Sequence, residues 1–480
     1  MKKKPTAKIS NQKFFSKNTD LPEGWIESPL KELTIHVLGG EWGIDDTETV
    51  PADMDRVNII RGTDFQFFND KNKLKTPTRI IKKSSLGKRR LINGDIVIEI
   101  SGGAPDQPVG RSLIIDGKIL EKAKNPLICS NFCRQIRIHP DQDPKFVNFS
   151  LHFQYHDGKF NRFQTQSTNI RNLNFNDFSE EILIPLPPLV EQQLIVAHIE
   201  TLLAHVNSAS DQLIRVPSIM KKFRQAVLEA ACSGKLTEGW RDEKLGGNRI
   251  ESVDQSGYSS LLPYNLDVMG ELPKGWTSNS LDKSANCRLG KMLDKIKNQG
   301  KLTPYIRNIN VRWFGFDLSN IKEIKIEDHE KDTYSIRSGD VLICEGGEPG
   351  RCAIWNRNEN EFIFQKALHR VRVGNSLLPE FLCFCLKDAA DSGYLSNLFT
   401  GTTIKHLTGI SLKKFVIPLP PPTEQHEIVR RVGTLFERAD AIEREVAAAT
   451  KRTEELTQAI LGKAFRGELV STDKGFVRNK

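Results

Sequence analysis

The chain has 480 residues, of which 38% are hydrophobic and 27% are charged, and its formal net charge is +9. One hydrophobic core does not extend over so many residues, so we expect three or more structural units. No apolar run reaches the roughly 18 residues that a membrane span needs, and the N-terminal lysines precede no apolar segment of a secretory signal, so the expected compartment is the cytoplasm. The excess of lysine and arginine suits a polyanionic partner such as DNA.

The eight cysteines offer no sign of a metal site, because they form no CxxC pair and their spacing provides no set of four zinc ligands. We therefore expect reduced, mostly buried thiols and no bound metal in this chain.

The most informative feature is an internal duplication, because short motifs recur in the same order in the two halves of the chain. Leu21–Trp25 (LPEGW) returns as Leu272–Trp276 (LPKGW), and Ile184–Pro188 (IPLPP) returns as Ile417–Pro421. Residues 184–237 and 417–470 align without a gap, whereas the stretches upstream share only short landmarks. A repeat with one constant and one variable part is typical of a shared scaffold that carries two different recognition surfaces.

In chain order, the sequence begins with a basic stretch, residues 1–20, which contains six lysines and one acidic residue. We expect it to be a solvated arm, and the alternative is a tail that contacts phosphates. The segments that follow are a variable module 1, a constant segment 1, a linker, a variable module 2, a constant segment 2 and a tail, at residues 21–183, 184–240, 241–270, 271–416, 417–470 and 471–480.

Each variable module has the size of a single domain and mixes short apolar strand-like runs with glycine turns and short helical patterns. Asp95–Ile98 and Asp340–Ile343 are examples of such runs, and a glycine precedes each. These patterns predict a mixed α/β or α+β module.

A glycine-containing loop follows a strand-like run in each module and ends at an arginine. Glycine allows the backbone to approach a ligand closely, and arginine reads guanine or clamps phosphate. The alternative is an ordinary turn with a solvated arginine. The candidate DNA-binding residues of these loops are Gly102, Gly103 and Arg111 in module 1 and Gly346, Gly347 and Arg351 in module 2.

A polar stretch near the end of each module supplies further candidates, because amides and hydroxyls hydrogen-bond to base edges and phosphates. The alternative is a polar connector. These candidates are Gln164, Thr168 and Asn169 in module 1 and Thr402, Thr403 and Lys405 in module 2. Arg61 and Arg307, which occupy matched positions after an apolar pair, either face DNA or form structural ion pairs.

The constant segments carry a long helical pattern that begins after each PLPP motif with a Glu-Gln pair. Apolar residues then recur at alternating spacings of four and three, which predicts a coiled-coil seam. Pro217 interrupts the first stretch, so the first helix should kink or divide there. The seam candidates are Ile195, Ile199, Leu202, Val206, Leu213, Met220 and Phe223 in segment 1 and Ile428, Val432, Leu435, Ile442, Val446, Leu456 and Ile460 in segment 2.

Two such helices in one chain can pair with each other. Because a module precedes each helix, an antiparallel coiled coil would place the two modules at opposite ends, and we predict this pseudo-twofold arrangement. The alternative is two ordinary amphipathic core helices. The pattern disfavours it, because the apolar residues form a narrow stripe and lack the additional apolar positions that widen the buried face of a core helix.

The sequence lacks the motifs of common enzymes: it has no Walker A loop, no glycine-rich cofactor loop after a strand, no methyltransferase motif and no HExxH. Two stretches fit the loose PD…DxK nuclease pattern, Pro105-Asp106 with Asp116–Lys118 and Pro140-Asp141 with Asp157–Lys159. This pattern is degenerate enough to occur by chance in a chain of this length. We predict a non-catalytic chain, and an autonomous metal-dependent nuclease is one alternative.

The sequence resembles a known family, the specificity subunits of Type I restriction–modification enzymes. The similarity rests on LPxGW at the start of each module, on PLPPxxEQ, and on the ends of the constant segments. These ends read Phe223–Leu228 (FRQAVL) with Gly234–Glu238 (GKLTE) and Thr457–Leu469 (TQAILGKAFRGEL). The resemblance covers nearly the whole chain, apart from the arm and the tail.

The resemblance implies that each module is a target-recognition domain that reads one half of a split, asymmetric DNA site. It also implies that the constant helices set the spacer between the halves and dock two methyltransferase subunits. S-adenosylmethionine, ATP and Mg²⁺ would belong to those partners and to restriction–translocase subunits, and this chain would hold no cofactor. The rival hypothesis is a DNA or RNA binder with a coiled-coil scaffold and no methyltransferase.

Overall fold

A computed structural model of the chain describes residues 21–67, 76–102, 107–167, 170–244, 264, 271–292, 294, 298–358 and 361–470. The described residues fall into two compact units. Unit 1 lies within residues 1–213 and 448–480, and unit 2 lies within residues 214–447. Both units combine helices with small sheets, so the predicted mixed α/β class is confirmed.

Unit 1 contains module 1 and is rich in short strands. Its strands are β1 (Ile26–Pro29), β2 (Thr34–Gly39), β3 (Ile44–Asp45), β4 (Met54–Ile60), β5 (Thr78–Lys82), β6 (Asp95–Glu99), β7 (Ser101–Gly102), β8 (Ser112–Ile114), β9 (Leu127–Cys129), β10 (Cys133–Ile138), β11 (Gln164–Ser167), β12 (Ile170–Leu173) and β13 (Leu183–Leu186). Its helices are α1 (Leu30–Leu33), α2 (Lys83–Arg89), α3 (Gly117–Lys122), α4 (Pro144–His156), α5 (Phe175–Glu181) and α6 (Leu189–Leu213), with 3-10 helices at Gly62–Phe67 and Lys159–Phe163.

Unit 2 contains module 2 and has a similar composition of elements. Its helices are α7 (Val216–Cys232), α8 (Glu238–Lys244), α9 (Leu281–Ser284), α10 (Asp328–Tyr334), α11 (Pro379–Asp391), α12 (Gly409–Lys413) and the first part of α13 (Pro422–Phe465), with 3-10 helices at Lys235–Thr237, Asn308–Asn310 and Tyr394–Leu398. Its strands are β14 (Thr277–Ser280), β15 (Ala285–Leu289), β16 (Lys301–Ile306), β17 (Val311–Arg312), β18 (Gly315–Phe316), β19 (Lys322–Ile326), β20 (Val341–Cys344), β21 (Cys352–Ile354), β22 (Ile363–Phe364), β23 (Leu368–Val373) and β24 (Val416–Leu419).

The two modules share a sheet topology. A four-stranded antiparallel sheet has the order β2-β10-β6-β8 in unit 1 and β15-β23-β20-β21 in unit 2. The strand after LPxGW pairs with the strand that contains the PLPP proline in both units, as β1-β13 and β14-β24. A parallel pair also recurs, β4 with β9 and β16 with β22. The duplication of the sequence is therefore a duplication of structure.

The Gly-Asp landmark of each module has a structural explanation. The glycine, Gly94 or Gly339, has a positive φ, at 89° and 88° respectively, a conformation that residues with a Cβ rarely adopt. The buried Asp95 carboxylate then accepts hydrogen bonds from Arg137 at 2.7 and 3.0 Å, within the same sheet. In unit 2, Asp340 pairs with Arg372 in the same way, at 2.7 and 3.1 Å.

Each unit buries one main core that joins a module to both constant segments. In unit 1 the core includes Trp25 and Phe146 of the module, Ile195 and Ile199 of α6, and Phe465 at the end of α13. The corresponding residues in unit 2 are Trp276, Phe381, Ile428 and Val432, together with Val227 and Leu228 of α7. Each core thus contains the start of the constant helix that follows its module and the end of the other constant segment.

The constant segments form long helices, as predicted. α6 ends at Leu213 and α7 begins at Val216, so the first helix divides next to Pro217. Proline lacks a backbone N–H and clashes with the preceding turn, which explains the break. α13 has no internal proline after its first turn and continues for 44 residues.

The predicted seam residues differ in burial along the helices. Three residues predicted to lie in the seam are exposed, Leu202 at 37%, Ile442 at 42% and Leu456 at 50%. These three side chains are therefore not buried in a helix–helix seam. The two large cores bury apolar residues only near the ends of the constant segments. The buried members are Ile195, Ile199, Val206, Ile428, Val432 and Ile460, and the half-buried members are Leu213, Met220, Phe223, Leu435 and Val446.

The eight cysteines are free, and all except the half-buried Cys287 are buried, in line with the sequence-based expectation. Burial raises the pKa of the Cys133 thiol to about 12, which keeps it protonated at neutral pH. Among the described residues, no helix has an apolar stretch long enough to cross a membrane.

Candidate functional site

A tryptophan–glutamate hydrogen bond joins each module to the helix that follows it. Trp25 Nε1 donates to Glu191 Oε1 at 3.1 Å in unit 1, and Trp276 Nε1 donates to Glu424 Oε2 at 2.9 Å in unit 2. The LPxGW and Glu-Gln motifs therefore recur together because they form one joint.

The glutamine of each Glu-Gln pair completes this joint. Gln192 Oε1 accepts the N–H of Asp143, at the N-terminus of α4, and Gln192 Nε2 donates to Pro187 O. In unit 2, Gln425 Oε1 accepts the N–H of Leu378, at the N-terminus of α11, and Gln425 Nε2 donates to the carbonyl of the matching proline. Both glutamine side chains are buried, so these bonds hold the module's main helix against the PLPP segment.

The joint of unit 2 also includes the end of constant segment 1. Thr237 Oγ1 donates to Glu424 Oε1 at 2.7 Å, and Arg241 donates to the same oxygen at 2.8 and 3.0 Å. The Arg241 and Glu424 side chains are only 11% and 3% exposed. Thr237 thus joins the two constant segments within unit 2, and the buried ion pair adds Arg241, the first residue of the predicted linker.

Further contacts join the two constant segments within unit 2. Arg431 Nη1 donates to Leu236 O at 2.8 Å, and Arg224 Nη2 donates to Asp440 at 2.7 Å and to Glu443 at 2.8 Å. Residues that come later in segment 1 thus pair with residues that come earlier in segment 2.

In each constant segment, a glycine two residues after the end of the last long helix lies against the proline of an LPxGW motif. Gly234 has a φ of +75°, and a Cβ there would lie 2.6 Å from Pro273 Cγ. In unit 1, Gly467 has a φ of +73°, and a Cβ would lie 2.3 Å from Pro22 Cγ. Both the backbone conformation and the close approach require glycine.

We expect Gly234→Ala to lower the free energy of unfolding by about 1–3 kcal/mol, because alanine in a left-handed conformation is strained and its Cβ would overlap Pro273. Gly433→Ala is the matched control. Gly433 lies inside α13, and an alanine Cβ there would meet no heavy atom within 4 Å outside the helix's own backbone, so alanine should raise stability by about 0.5–1 kcal/mol. Urea unfolding of both variants measures the difference, and effects of the same sign would contradict this explanation.

The predicted DNA-binding segments of module 1 lie together. β7, which contains Gly102, pairs with β12 of the hairpin that carries the polar stretch. Arg111 donates two hydrogen bonds to the buried Glu99, at 2.9 and 2.7 Å. A Cβ on Gly62, the residue after Arg61, would lie 2.3 Å from the same carboxylate. The described parts of these segments, namely the turn after Arg61, the two ends of the glycine loop and the polar hairpin, therefore lie close together.

The corresponding segments of module 2 also lie together. Arg351 Nη2 donates to Asn308 O at 3.0 Å, which joins the glycine loop to the turn after Arg307. A Cβ on Gly346 would lie 3.2 Å from His406 Nδ1, at the end of the polar stretch. The sequence-predicted segments therefore converge in both modules.

Several individual candidates, however, are held by neighbouring groups of the protein. Arg61 donates to both oxygens of Asp64 at 2.9 and 2.7 Å, and this hydrogen bonding raises the pKa of its guanidinium. The Gln164 amide donates to Val109 O and accepts from Val109 N. Like Arg111, which bonds Glu99, these side chains form hydrogen bonds with other groups of the same module. Their role is therefore to stabilise the local structure of the surface.

Other candidates remain accessible. Thr402, Thr403 and Lys405 are exposed in a turn whose ends are joined by hydrogen bonds between Thr400 and His406. Gly347 is exposed as well, whereas Gly346 is buried. The candidates Gly103, Thr168 and Asn169 lie outside the described residues.

Sequence reasoning missed Trp313 and Phe314, which form the tip of the β17–β18 hairpin in module 2. Trp313 Nε1 donates to Glu348 in the glycine loop at 2.7 Å. Two adjacent aromatic residues before a glycine were the available signal.

The nuclease-like patterns do not assemble a metal site in the described part of the chain. Asp116 accepts the N–H of Ile119 at 2.8 Å and caps the N-terminus of α3. Pro105 and Asp106 lie outside the described residues. Among the residues that the structure describes, no group of three His, Cys, Asp or Glu side chains is arranged to hold a metal ion.

Comparison with known proteins gives a consistent result. The Type I restriction modification DNA specificity domain matches residues 58–215 and 273–451. The specificity subunit of the Type I restriction enzyme EcoKI from Escherichia coli K12 is 30% identical over 463 residues, which cover 94% of this chain and 90% of that protein. The StySPI specificity subunit from Salmonella potsdam is 29% identical over 94% of this chain and 90% of its own length.

Solved structures support the fold. A chain solved in work on the assembly and conformational transition of the type I R-M system superposes with a TM-score of 0.65 at 19% identity, covering 93% of this chain and 99% of that one. The HsdS subunit from Thermoanaerobacter tengcongensis gives a TM-score of 0.50 at 18% identity, with 93% and 98% covered. The duplicated joint, the paired modules and these similarities lead to one conclusion: the chain belongs to the family of Type I restriction–modification specificity subunits.

Proposed function

We propose that the two modules each read one half of a bipartite, asymmetric DNA target, and that the constant segments form an antiparallel coiled coil that fixes the spacer between the halves. As a specificity subunit, the chain is a non-catalytic component of its restriction–modification complex. The observation that carries the proposal is the convergence of the same three segments, a turn, a glycine loop and a polar stretch, in both modules. Because their residues differ, the two half-sites should differ.

The antiparallel pairing is supported by the order of contacts within unit 2. Arg224 bonds Asp440, whereas Thr237, thirteen residues later, bonds Glu424, sixteen residues earlier. Two helices whose contacts progress in opposite directions run antiparallel. The core of unit 1, which combines Ile199 with Phe465, agrees with the same register.

We further propose that the constant helices dock two methyltransferase subunits, in the cytoplasm. Exposed apolar side chains on α6 and α13, including Val190 at 70%, Leu194 at 49% and Leu456 at 50%, suit a protein partner. S-adenosylmethionine would bind in those methyltransferase subunits, and ATP and Mg²⁺ in the restriction–translocase subunits.

The proposal is tested by expressing the chain with the methyltransferase encoded beside it and mapping adenine methylation across the host genome. We expect a split motif with two unlike halves. Exchange of residues 271–416 for the second module of another specificity subunit should change one half and leave the other half and the spacer unchanged. Methylation at a continuous motif, or a simultaneous change in both halves, would contradict the proposal. Failure to co-purify with any methyltransferase would favour the stand-alone DNA or RNA binder.

A further inference from the structure

The tip of the β17–β18 hairpin in module 2 is fastened to the module's main sheet. Phe316 of the hairpin packs its ring 5.2 Å from that of the buried Trp355. At the tip, the Phe314 N–H donates to Cys352 O in β21 at 3.0 Å. The tip is therefore attached to the module's own sheet.

Phe314 adopts an unusual backbone conformation for a residue with a side chain. Its φ is +64°, in the left-handed region, and its side chain is 42% exposed. This conformation costs free energy for a bulky residue, and the half-exposed ring recovers only part of it by burial. The strain indicates that the position of the ring itself has a role.

The ring of Phe314 contacts the constant helix α13 and the module helix α11. Its centroid lies 6.1 Å from that of Phe436 on α13 and 6.0 Å from that of Phe384 on α11. The Arg224 guanidinium from α7 lies 5.3 Å from the Phe436 ring and pairs with Asp440 and Glu443 of α13. Phe314 thus touches α13 at the point where α7 is bonded to it.

Trp313, the neighbouring residue, contacts the candidate DNA-reading loop. Its Nε1 donates to Glu348 Oε1 at 2.7 Å, and Glu348 Oε2 accepts from Arg351 at 2.8 Å. Lys387 Nζ lies 5.1 Å from the Trp313 ring. A continuous set of contacts therefore leads from the glycine loop through the hairpin tip to the constant helices of unit 2.

We propose that the Trp313-Phe314 tip is a bracket that fixes the reading loop of module 2 on the constant helices and so determines which spacer lengths the protein accepts. The inference deepens the proposed function and depends on it. The Trp276–Glu424 joint attaches the module near the start of α13. Phe436 lies twelve residues after Glu424, about 18 Å along an α-helix, so the contact with Phe314 gives the module a second attachment to the same helix, which opposes rotation about the first.

The test uses the full chain with its methyltransferase, and substrates that carry both half-sites with the native spacer or with one base pair more or fewer. Phe314→Gly removes the ring together with the backbone strain. Ile410→Ala is the control, because Ile410 is a 73% exposed apolar residue of the same module. Phe314→Tyr, which keeps the ring, should retain the native spacer preference.

We expect Phe314→Gly to keep or raise the melting temperature and to methylate the same half-sites. Its preference for the native spacer should fall about three- to tenfold, the equilibrium equivalent of one lost aromatic contact. Trp313→Phe, which removes the N–H that Glu348 accepts and leaves a smaller ring beside Lys387, should shift the preference in the same direction. An unchanged spacer profile in Phe314→Gly, or equal loosening in Ile410→Ala, overturns the bracket. Absence of bipartite methylation by the unaltered protein would instead refute the proposed function.

Discussion

Glu424→Ala is expected to destabilise unit 2 by about 3–5 kcal/mol, because it leaves the buried Arg241 charge without its partner. The Trp276 N–H and the Thr237 hydroxyl lose their acceptor in the same substitution. For a unit of this size, the change corresponds to a melting temperature lower by about 10 °C. Differential scanning calorimetry of the full chain measures it.

Glu191→Ala is the matched control in unit 1, since Glu191 is the corresponding residue of the duplicated joint. Its carboxylate accepts the hydrogen bond from Trp25, and the side chain is half-buried. The loss of one acceptor should cost about 1–2 kcal/mol. Equal destabilisation by the two substitutions would show that the ion pair with Arg241 adds nothing to the joint of unit 2.

Lengthening both constant segments by one heptad is expected to shift the preferred spacer by about three base pairs. Seven helical residues add about 10.5 Å, and each base pair adds about 3.4 Å. One heptad would be inserted after Ala447 in α13 and one after Leu213, where the first helix divides. Overall methylation should also fall, because three base pairs rotate one half-site around the DNA axis relative to the other.

Spacer preference of this variant is measured on substrates whose spacers differ by single base pairs, with both half-sites kept. The control is an insertion of seven residues after Lys244 in the predicted linker, residues 241–270, beyond the helix that contains Arg241, and it should leave the preferred spacer unchanged. A native preference in the lengthened protein would contradict the ruler role of the helices, and a change in the half-sites would contradict the separation of reading from spacing.

The structure changes the status of several predicted site residues for reasons that lie outside their local sequence. Arg111 is fixed by Glu99, which β6 places beside it, and Gln164 is fixed by the backbone of Val109, 55 positions away. A sequence pattern indicates a residue's chemistry, but it does not reveal whether the fold already satisfies its hydrogen bonds. Trp313 and Phe314 were missed for the same reason, because their partners lie on α13 and in the glycine loop.

The sequence by itself determined the mixed α/β class, the duplication, the long constant helices and the break at Pro217. These features depend on local periodicity, on proline geometry and on motifs that repeat in order. The tertiary structure alone decided the partners: Trp276 with Glu424, Gly467 against Pro22, and the convergence of three separate segments within each module. It also decided that Leu202, Ile442 and Leu456 are exposed. Burial and pairing depend on which distant segments the fold brings together, and the heptad spacing of one segment does not specify its distant partners.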